Sequence, residues 1–277
     1  MLSIPPCYPV VQEQIGKARL SFPFAARRNK ILQRNDFERD HAMSQPAVAA
    51  LAPLPFELVY SDGEPLETRW HFLQIALFLE VIRRAMAERG RSDFYVAGDM
   101  FVYHSRQQAE DVAKGKPYFR GPDVFWVGGV DPQRDRKCWV AWEEGGRLPD
   151  VIVELLSPST AKIDRTVKKD LYARVFRTAE YYLYEPETRD LEGLALAGLA
   201  YQPRVPDEKG RFWSEQLGAF LGPWQGVWSG KEDDWVRLFR PDGSLVPTEA
   251  EAERQRAEAA EAELARLRAL LGERGQD

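Results

Sequence analysis

The chain has 277 residues, of which 44% are apolar and 29% are charged, which suits one sizeable globular domain with appendages or two small domains. No apolar run approaches the roughly 20 residues of a membrane span, and the first residues lack the pattern of a secretory signal, which argues against a membrane or secreted protein. The net charge of -5 excludes a generally basic nucleic-acid binder. The two cysteines, Cys7 and Cys138, lie far apart without zinc spacing, which predicts that the protein resides in a reducing cytoplasm.

The first part of the chain differs from the rest. Residues 1–50 carry scattered basic residues, several prolines and little periodicity, which predicts a poorly ordered leader. Met43 is an alternative natural start, in which case the residues before it are an upstream extension. We predict a folded domain over 51–247 and a C-terminal helix over 248–277.

The first predicted element of the domain is a long helix over 65–90. Pro65 suits its first turn, Gly90 suits the position after its end, and apolar residues recur at helical spacing between them. It is followed by a predicted strand over 94–104, a polar loop, a short strand over 121–129 that opens with Pro122 and Asp123, and a loop over 131–148 with one edge strand.

The next strand, in "PDVIVELLSPST", contains a charged residue. The apolar and β-branched run from Val151 to Leu156 is typical of a buried strand, but Glu154 lies within it. A carboxylate there loses its hydration unless a partner or a ligand binds it. Asp164 is predicted to cap a helix over 165–176. Later elements are strands over 179–186 and 191–198, and a hairpin over 235–246 that turns at 242–243.

The tail from Thr248 is rich in Ala, Glu and Arg. Apolar residues alternate spacings of three and four there, which indicates a coiled-coil seam of about two heptads. The same pattern suits a solvated helix that packs weakly on its own domain, so self-association into a homodimer and a monomeric helix both remain open. The seam consists of Ala257, Ala260, Leu264, Leu267 and Leu271.

Two carboxylates occupy comparable places on the predicted strands. Asp123 begins one apolar strand and Glu154 lies near the end of another, so neighbouring strands would bring both side chains to one end of a sheet. Two close carboxylates repel each other unless they share a cation. Mg²⁺ suits such a site, because it takes few protein oxygens and completes its octahedron with water and phosphate.

The helix after this strand supplies three candidate cations, Lys162, Lys168 and Lys169. A lysine beside a metal can stabilise the charge that develops on a phosphorane, or orient the attacking water. Adjacent helical positions point about 100° apart, so Lys168 and Lys169 cannot share an inward direction. Lys168 shares a helix face with Tyr172, and we expect it to approach Glu154.

The order of these motifs carries a resemblance. "GPDV", "PDVIVELLSPST" and "DRTVKKDLYARVFRTAEYYLYEP" resemble a large bacterial restriction endonuclease family of the PD-(D/E)xK nuclease superfamily. Its members show a Pro-Asp strand, a strand ending in Val-Glu-x-x-Ser-Pro-Ser, an Asp-x-x-x-Lys-x-x-x-Tyr helix and a Glu-Tyr-Trp-like strand. The resemblance covers roughly 55–270. The matching positions of the last two motifs are Asp164, Lys168, Tyr172, Glu180 and Tyr181.

The resemblance implies an α/β (α+β) fold, with a restriction endonuclease-like mixed β-sheet core flanked by helices and a charged C-terminal helix. It also implies a Mg²⁺-dependent site that cleaves DNA, for which Mn²⁺ is a substitute. Carried over by position, Asp123 and Glu154 are the metal ligands and belong with Lys168 to the catalytic set. Lys162 and Glu67 are auxiliary candidates.

The sequence departs from the superfamily pattern at the lysine. That pattern places a lysine two residues after the acidic residue on the same strand, where this chain has Leu156. The resemblance therefore places the lysine on the following helix, with Lys168 as the match and Lys162 as the second choice.

Other functions stay open at this stage. One alternative is a non-catalytic nucleic-acid-binding or assembly protein on a nuclease-like fold, in which Asp123 only caps a loop and Glu154 forms a structural ion pair with Lys168. A weaker alternative is a two-carboxylate glycoside hydrolase, which needs an open sugar cleft without a lysine between the carboxylates. The discriminating feature is whether Asp123, Glu154 and a lysine face one metal-sized space.

Overall fold

The computed structural model describes residues 52–59, 68–116 and 121–274, with side chains as far as residue 270. Residues Leu54–Asp277 form a compact unit of their own. The predicted leader over 1–50 and the candidate Glu67 lie outside the described residues, as does the Pro65 start predicted for the first helix.

Four helical segments are described. Helix α1 is Arg69–Glu88, α2 is Arg106–Ala113, α3 is the helical run 161–176, and α4 is Glu249–Arg274. A short 3₁₀ turn covers Ala141–Glu143. Within the described ranges, no helix is long and apolar enough to cross a membrane.

Eleven strands are described and form three sheets. The main sheet has six strands in the order β1-β3-β5-β6-β7-β8; β5 and β6 are parallel and the other neighbours are antiparallel. Strands β9 to β11 form a second sheet, and β2 and β4 form a short parallel pair. The bounds are β1 Phe94–Gly98, β2 Val102–Tyr103, β3 Val124–Gly128, β4 Trp139–Val140, β5 Val151–Leu155, β6 Glu180–Glu185, β7 Asp190–Ala197, β8 Ala200–Pro203, β9 Phe212–Ser214, β10 Ala219–Trp228 and β11 Lys231–Phe239.

Alternation along β5 assigns its side chains to two different cores. Val151, Val153 and Leu155 pack into the cluster formed with α1 and the β10–β11 hairpin. Ile152 and Leu156 pack into the cluster on the opposite face, which contains the buried residues of α3. Because the strand is covered on both faces, its residues are apolar almost without interruption. Glu154 has the same parity as Ile152 and therefore faces α3.

Helix α1 is fixed at its start and in its middle by polar contacts. The Thr68 side chain accepts a hydrogen bond from the backbone N–H of His71, which caps the first turn. Gln74 is fully buried; its Nε2 donates to the Val236 carbonyl at 2.9 Å and its Oε1 accepts from the Val236 N–H at 2.8 Å. These two bonds tie α1 to β11 and satisfy four polar atoms inside an apolar cluster.

Three predictions about local structure are corrected. The single strand expected over 94–104 is two strands, because Asp99 adopts a positive φ of 49° and breaks the ladder. The polar loop expected after it contains α2, whose first turn Ser105 caps through the Gln108 N–H. Asp164 does not cap a helix: the helical run already begins at Ala161 and Asp164 is buried within it.

The C-terminal hairpin also differs from the expected one. Strand β11 pairs along its whole length with β10, and the turn between them contains Ser229 and Gly230, both with positive φ. The predicted turn at 242–243 exists, but only a bridge between Phe239 and Leu245 accompanies it. The long β10 strand was not expected, because its glycines and alternating tryptophans obscure the period-two pattern.

Candidate active site

Glu154 is fully buried near the carboxyl end of β5, and hydrogen bonds reach both of its oxygens. Its Oε1 accepts from the Tyr172 hydroxyl at 2.8 Å and lies 3.0 Å from Lys168 Nζ. Its Oε2 accepts from the backbone N–H of Asp123 at 3.2 Å. Burial of the carboxylate is therefore compensated by one cation and two neutral donors.

Asp123 reaches the same place from the neighbouring strand. It immediately precedes β3, whose first residue, Val124, pairs with Val153 in the antiparallel register. Asp123 Oδ2 accepts from the backbone N–H of Leu155 at 2.6 Å, and its own N–H binds Glu154. The two acidic residues thus extend the β3–β5 ladder through reciprocal side-chain contacts, and Asp123 stays half-buried at the rim.

Lys168 comes from α3 and lies between two carboxylates. Its Nζ is 3.0 Å from Glu154 Oε1 and 2.8 Å from Asp164 Oδ1, one helical turn earlier. Only 9% of Lys168 is exposed, so the ammonium interacts with these carboxylates through a medium that screens little. Asp164 is itself buried, and its backbone carbonyl accepts from the Tyr181 hydroxyl at 3.0 Å.

The geometry of α3 explains how Asp164, Lys168 and Tyr172 lie on one face of the helix. The segments Asp164–Lys168 and Tyr172–Phe176 are π-helical, and the short segments beside them are α-helical. Residues four apart drift one way around an α-helix, and the wider π turns reverse that drift. Residues 164, 168, 172 and 176 are consequently all buried on the side that faces the sheet.

The charges of these side chains do not balance. Asp123, Glu154 and Asp164 are three carboxyl groups around the single ammonium of Lys168. Burial raises the pKa of Glu154 to about 8, an effect opposed by Lys168 and increased by the other two carboxylates. Burial likewise raises the pKa of Asp123 to about 6, against the lowering effect of Lys168. Burial alone would lower the pKa of Lys168, but the three carboxylates raise it above its ordinary value.

The site also contains two residues whose contacts there were not predicted. Asp164 was expected to be a helix cap, yet it pairs with the same Lys168 ammonium that contacts Glu154. His71, expected to be half-buried, is buried; its Nε2 lies 3.0 Å from the Leu155 carbonyl and its Nδ1 lies 3.1 Å from Thr68 Oγ1. The contact between Asp164 and Lys168 could have been predicted from their spacing, because side chains four residues apart meet on a helix.

Two residues of the Glu-Tyr-Trp-like motif, Glu180 and Tyr181, stabilise the elements around the site. Glu180 is buried, and its carboxylate accepts from the Glu215 N–H at 2.8 Å and from the Ser214 hydroxyl, which ties β6 to the β9–β10 turn. Tyr181 packs edge-on against Tyr172, with the ring centroids 5.3 Å apart. Their contacts position α3 and β6 around the acidic residues.

Not every candidate is brought to this place. Lys162 is exposed at the start of α3, and Lys169 is only partly buried on a different side of the helix from Lys168. Across the described ranges, no group of three His, Cys, Asp or Glu side chains is arranged to hold a metal ion. Any metal at this site would therefore rest on two protein carboxylates, those of Asp123 and Glu154.

A cleft of about 360 Å³ lies beside the end of β5. It is bounded by the start of α1, the turn after β5 and the loop that follows β6, and it includes both acidic and basic side chains. The residues that directly follow β5 line the cleft, but Asp123, Glu154 and Lys168 do not, and Glu154 has no exposed surface. Its lining includes Trp70, His71, Ser157, Arg189, Lys231 and Asp234.

Fold and site together define the class of protein. A six-stranded mixed sheet flanked by helices, followed by a C-terminal helix, is a restriction endonuclease-like fold, which confirms the predicted fold class. A sequence model of the Uma2 family, described as putative restriction endonuclease, matches residues 50–222, more than half of the chain. The chain belongs to this family, which confirms the resemblance and associates the protein with nucleases. No protein with a curated description matches the chain.

Proposed function

We propose that this protein is a metal-dependent endonuclease that hydrolyses phosphodiester bonds of DNA. The observation that supports the proposal is the convergence of Asp123, Glu154 and Lys168 at the ends of two neighbouring strands. Carboxylates on rigid strands and a lysine with a packed stem suit phosphoryl chemistry, because catalysis there consists largely of positioning and charge stabilisation. A cytoplasmic location is part of the proposal.

The donor set fits a hard divalent cation. The three carboxyl groups outnumber the one ammonium, and the pKa values of Asp123 and Glu154 are raised mainly by burial and further by the neighbouring carboxylates. Mg²⁺ commonly binds through one or two carboxylates and keeps several waters, so Asp123 and Glu154 would suffice to hold it. When bound, such an ion would polarise the phosphate and lower the pKa of a coordinated water.

Lys168 supplies the positive charge of the protein itself. Its ammonium is held by Glu154 and Asp164 on two sides, which fixes its position before a substrate arrives. A fixed ammonium can stabilise the negative charge that develops on the phosphorane or orient the attacking water. Asp164 and Tyr172 act through Lys168 and Glu154 and are positioning residues in this proposal.

A second candidate function rests on the burial of Glu154. The side chain has no exposed surface, and both oxygens already have protein partners, as in a structural ion pair. In that case the protein would be a non-catalytic nucleic-acid-binding or assembly protein on a nuclease-like fold. The glycoside hydrolase alternative loses support, because Lys168 contacts Glu154 directly.

Cleavage of plasmid DNA in Mg²⁺ or Mn²⁺ tests the two candidates. The wild-type protein and an exposed-carboxylate control, Glu208→Gln, should cleave the plasmid, and Glu154→Gln should not. Lys168→Met should lower the cleavage rate at least about 100-fold while metal affinity, measured by calorimetry, stays nearly constant, since the ligands remain. Lys169→Met is the matched control and should cleave at the wild-type rate.

The outcomes separate the candidates. An inactive wild-type protein whose Glu154→Gln variant is merely destabilised would support the structural candidate. A fully active Lys168→Met protein would remove this lysine from the reaction.

A further inference from the structure

Helix α4 leaves the domain soon after it begins. Its first turn is attached firmly: Arg237, fully buried on β11, donates to both carboxylate oxygens of Glu251 at 2.7 and 3.1 Å, and Ala252 is buried. Every described residue from 253 to 270 is exposed. At 1.5 Å per residue, the 26-residue helix is about 39 Å long, and most of that length has no packing partner in the described part of the chain.

The exposed part of α4 carries the heptad seam. The seam residues Leu264 and Leu267 are each 48% exposed, and the seam continues toward the domain with Ala257 and Ala260. Isolated helices are marginal in water and gain most of their stability from the packing of an apolar face. A helix that presents leucines at a and d positions to solvent has the pattern of one strand of a coiled coil.

The seam points away from the body of the domain. With Ala257 and Leu264 at a and Ala260 and Leu267 at d, the centre of the seam lies about 150° around the helix from the side of Glu251 and Ala252 that contacts the domain. Two such helices can therefore approach through their seams while the two domains remain on the outside of the pair.

The flanking charges complement a parallel copy of the same helix. In this heptad Arg256 and Glu263 take g positions, and Glu261 and Arg268 take e positions. In a parallel pair each g residue faces the e residue of the next heptad on the other helix, so Arg256 faces Glu261 and Glu263 faces Arg268. Both contacts join opposite charges, and symmetry makes four of them. In an antiparallel pair g residues face g residues instead, so the contact between Glu263 and Arg268 is lost.

We propose that residues 257–271 form a parallel two-stranded coiled coil with a second copy of this chain. The seam covers only about two heptads, so the dimer is expected to be weak and to depend on concentration. The proposal concerns assembly and does not rest on nuclease activity.

Sedimentation equilibrium of the full chain over a wide concentration range tests the proposal. The mass should rise toward twice the monomer mass for the wild-type protein. Leu264→Glu combined with Leu267→Glu should remain monomeric. The matched control, Ala262→Glu with Ala269→Glu, adds the same charge on the outer face of the helix and should dimerise as the wild type does. Circular dichroism checks that both double variants stay folded.

A charge exchange tests the parallel orientation. Glu263→Arg alone and Arg268→Glu alone each place like charges at g and e positions and should weaken the dimer about tenfold. The two changes together restore opposite charges and should restore dimerisation. A wild-type chain that is monomeric throughout, and so leaves this face to another protein, would overturn the proposal, as would a seam variant that still dimerises. A combined charge exchange that stays weak would overturn the parallel arrangement.

Discussion

At the scale of single residues, the site is defined by an excess of buried negative charge. Glu154 and Asp164 enclose the ammonium of Lys168, and Asp123 adds a third carboxyl group at the rim. Such a cluster holds protons or a cation more readily than it holds bare charges. The same four side chains therefore link pH to stability, and to metal binding under the proposed function.

The protonation of Glu154 gives a testable pH dependence. The folded protein holds this proton up to a pKa of about 8, against an ordinary value of 4.5, so between these values it binds more protons than the unfolded chain. The free energy of unfolding, measured by denaturant titration without divalent ions, should therefore fall as pH rises from about 5 to 8. Glu154→Gln cannot ionise and should show a flatter dependence. Glu208→Gln, an exposed control, should keep the wild-type slope; equal slopes for wild type and Glu154→Gln would refute the assignment.

At the scale of elements, α1 and α3 hold β5 from its two faces. Helix α3 presents Asp164, Lys168 and Tyr172 to the face of β5 that carries Glu154, because its π-helical turns keep residues four apart on one face. Helix α1 contacts the other side through an apolar face, with Gln74 as a buried polar connection to β11 and His71 beside the Leu155 carbonyl. Both faces of β5 are therefore packed by helices, which fixes the position of Glu154.

The connection between α1 and β11 can be tested by removing one side chain. Gln74→Ala leaves the N–H and the carbonyl of Val236 buried without their side-chain partner, which should lower the free energy of unfolding by about 2 kcal/mol. Urea denaturation measures the loss. Gln107→Ala, an exposed change in α2, should cost less than about 0.5 kcal/mol. A Gln74→Ala protein as stable as the control would mean that water replaces the lost bonds.

At the scale of the whole molecule, the main sheet carries the site and α4 extends the chain beyond it. The family match covers 50–222, so it includes Asp123, Glu154 and Lys168 but no residue of α4. The overall charge of -5 means that DNA contact, if the proposal holds, depends on local cations and on bound metal rather than on a general positive field.

Metal binding should be visible in the stability of the whole protein. A cation that binds only the folded state raises the free energy of unfolding by about 2.7 kcal/mol at one hundred times its dissociation constant. The thermal midpoint of the wild-type protein should therefore rise by several degrees in excess Mn²⁺. Asp123→Asn should lose this rise. Asp150→Asn, at another Pro-Asp position, should keep it, and a rise that persists in Asp123→Asn would place the metal elsewhere.

The sequence by itself determined five of the six strands of the main sheet, the long first helix and the presence of a carboxylate inside β5, because period and burial are encoded locally. It also placed Lys168 and Tyr172 on one helix face, since residues four apart meet on any helix. Only the tertiary structure decided that Asp164 pairs with Lys168 rather than capping a helix, because that choice depends on α3 packing against the sheet. The break at Asp99 and the pairing of β10 with β11 were likewise decided by backbone conformation and long-range contact. Such features depend on which elements become neighbours, and no window of sequence contains that information.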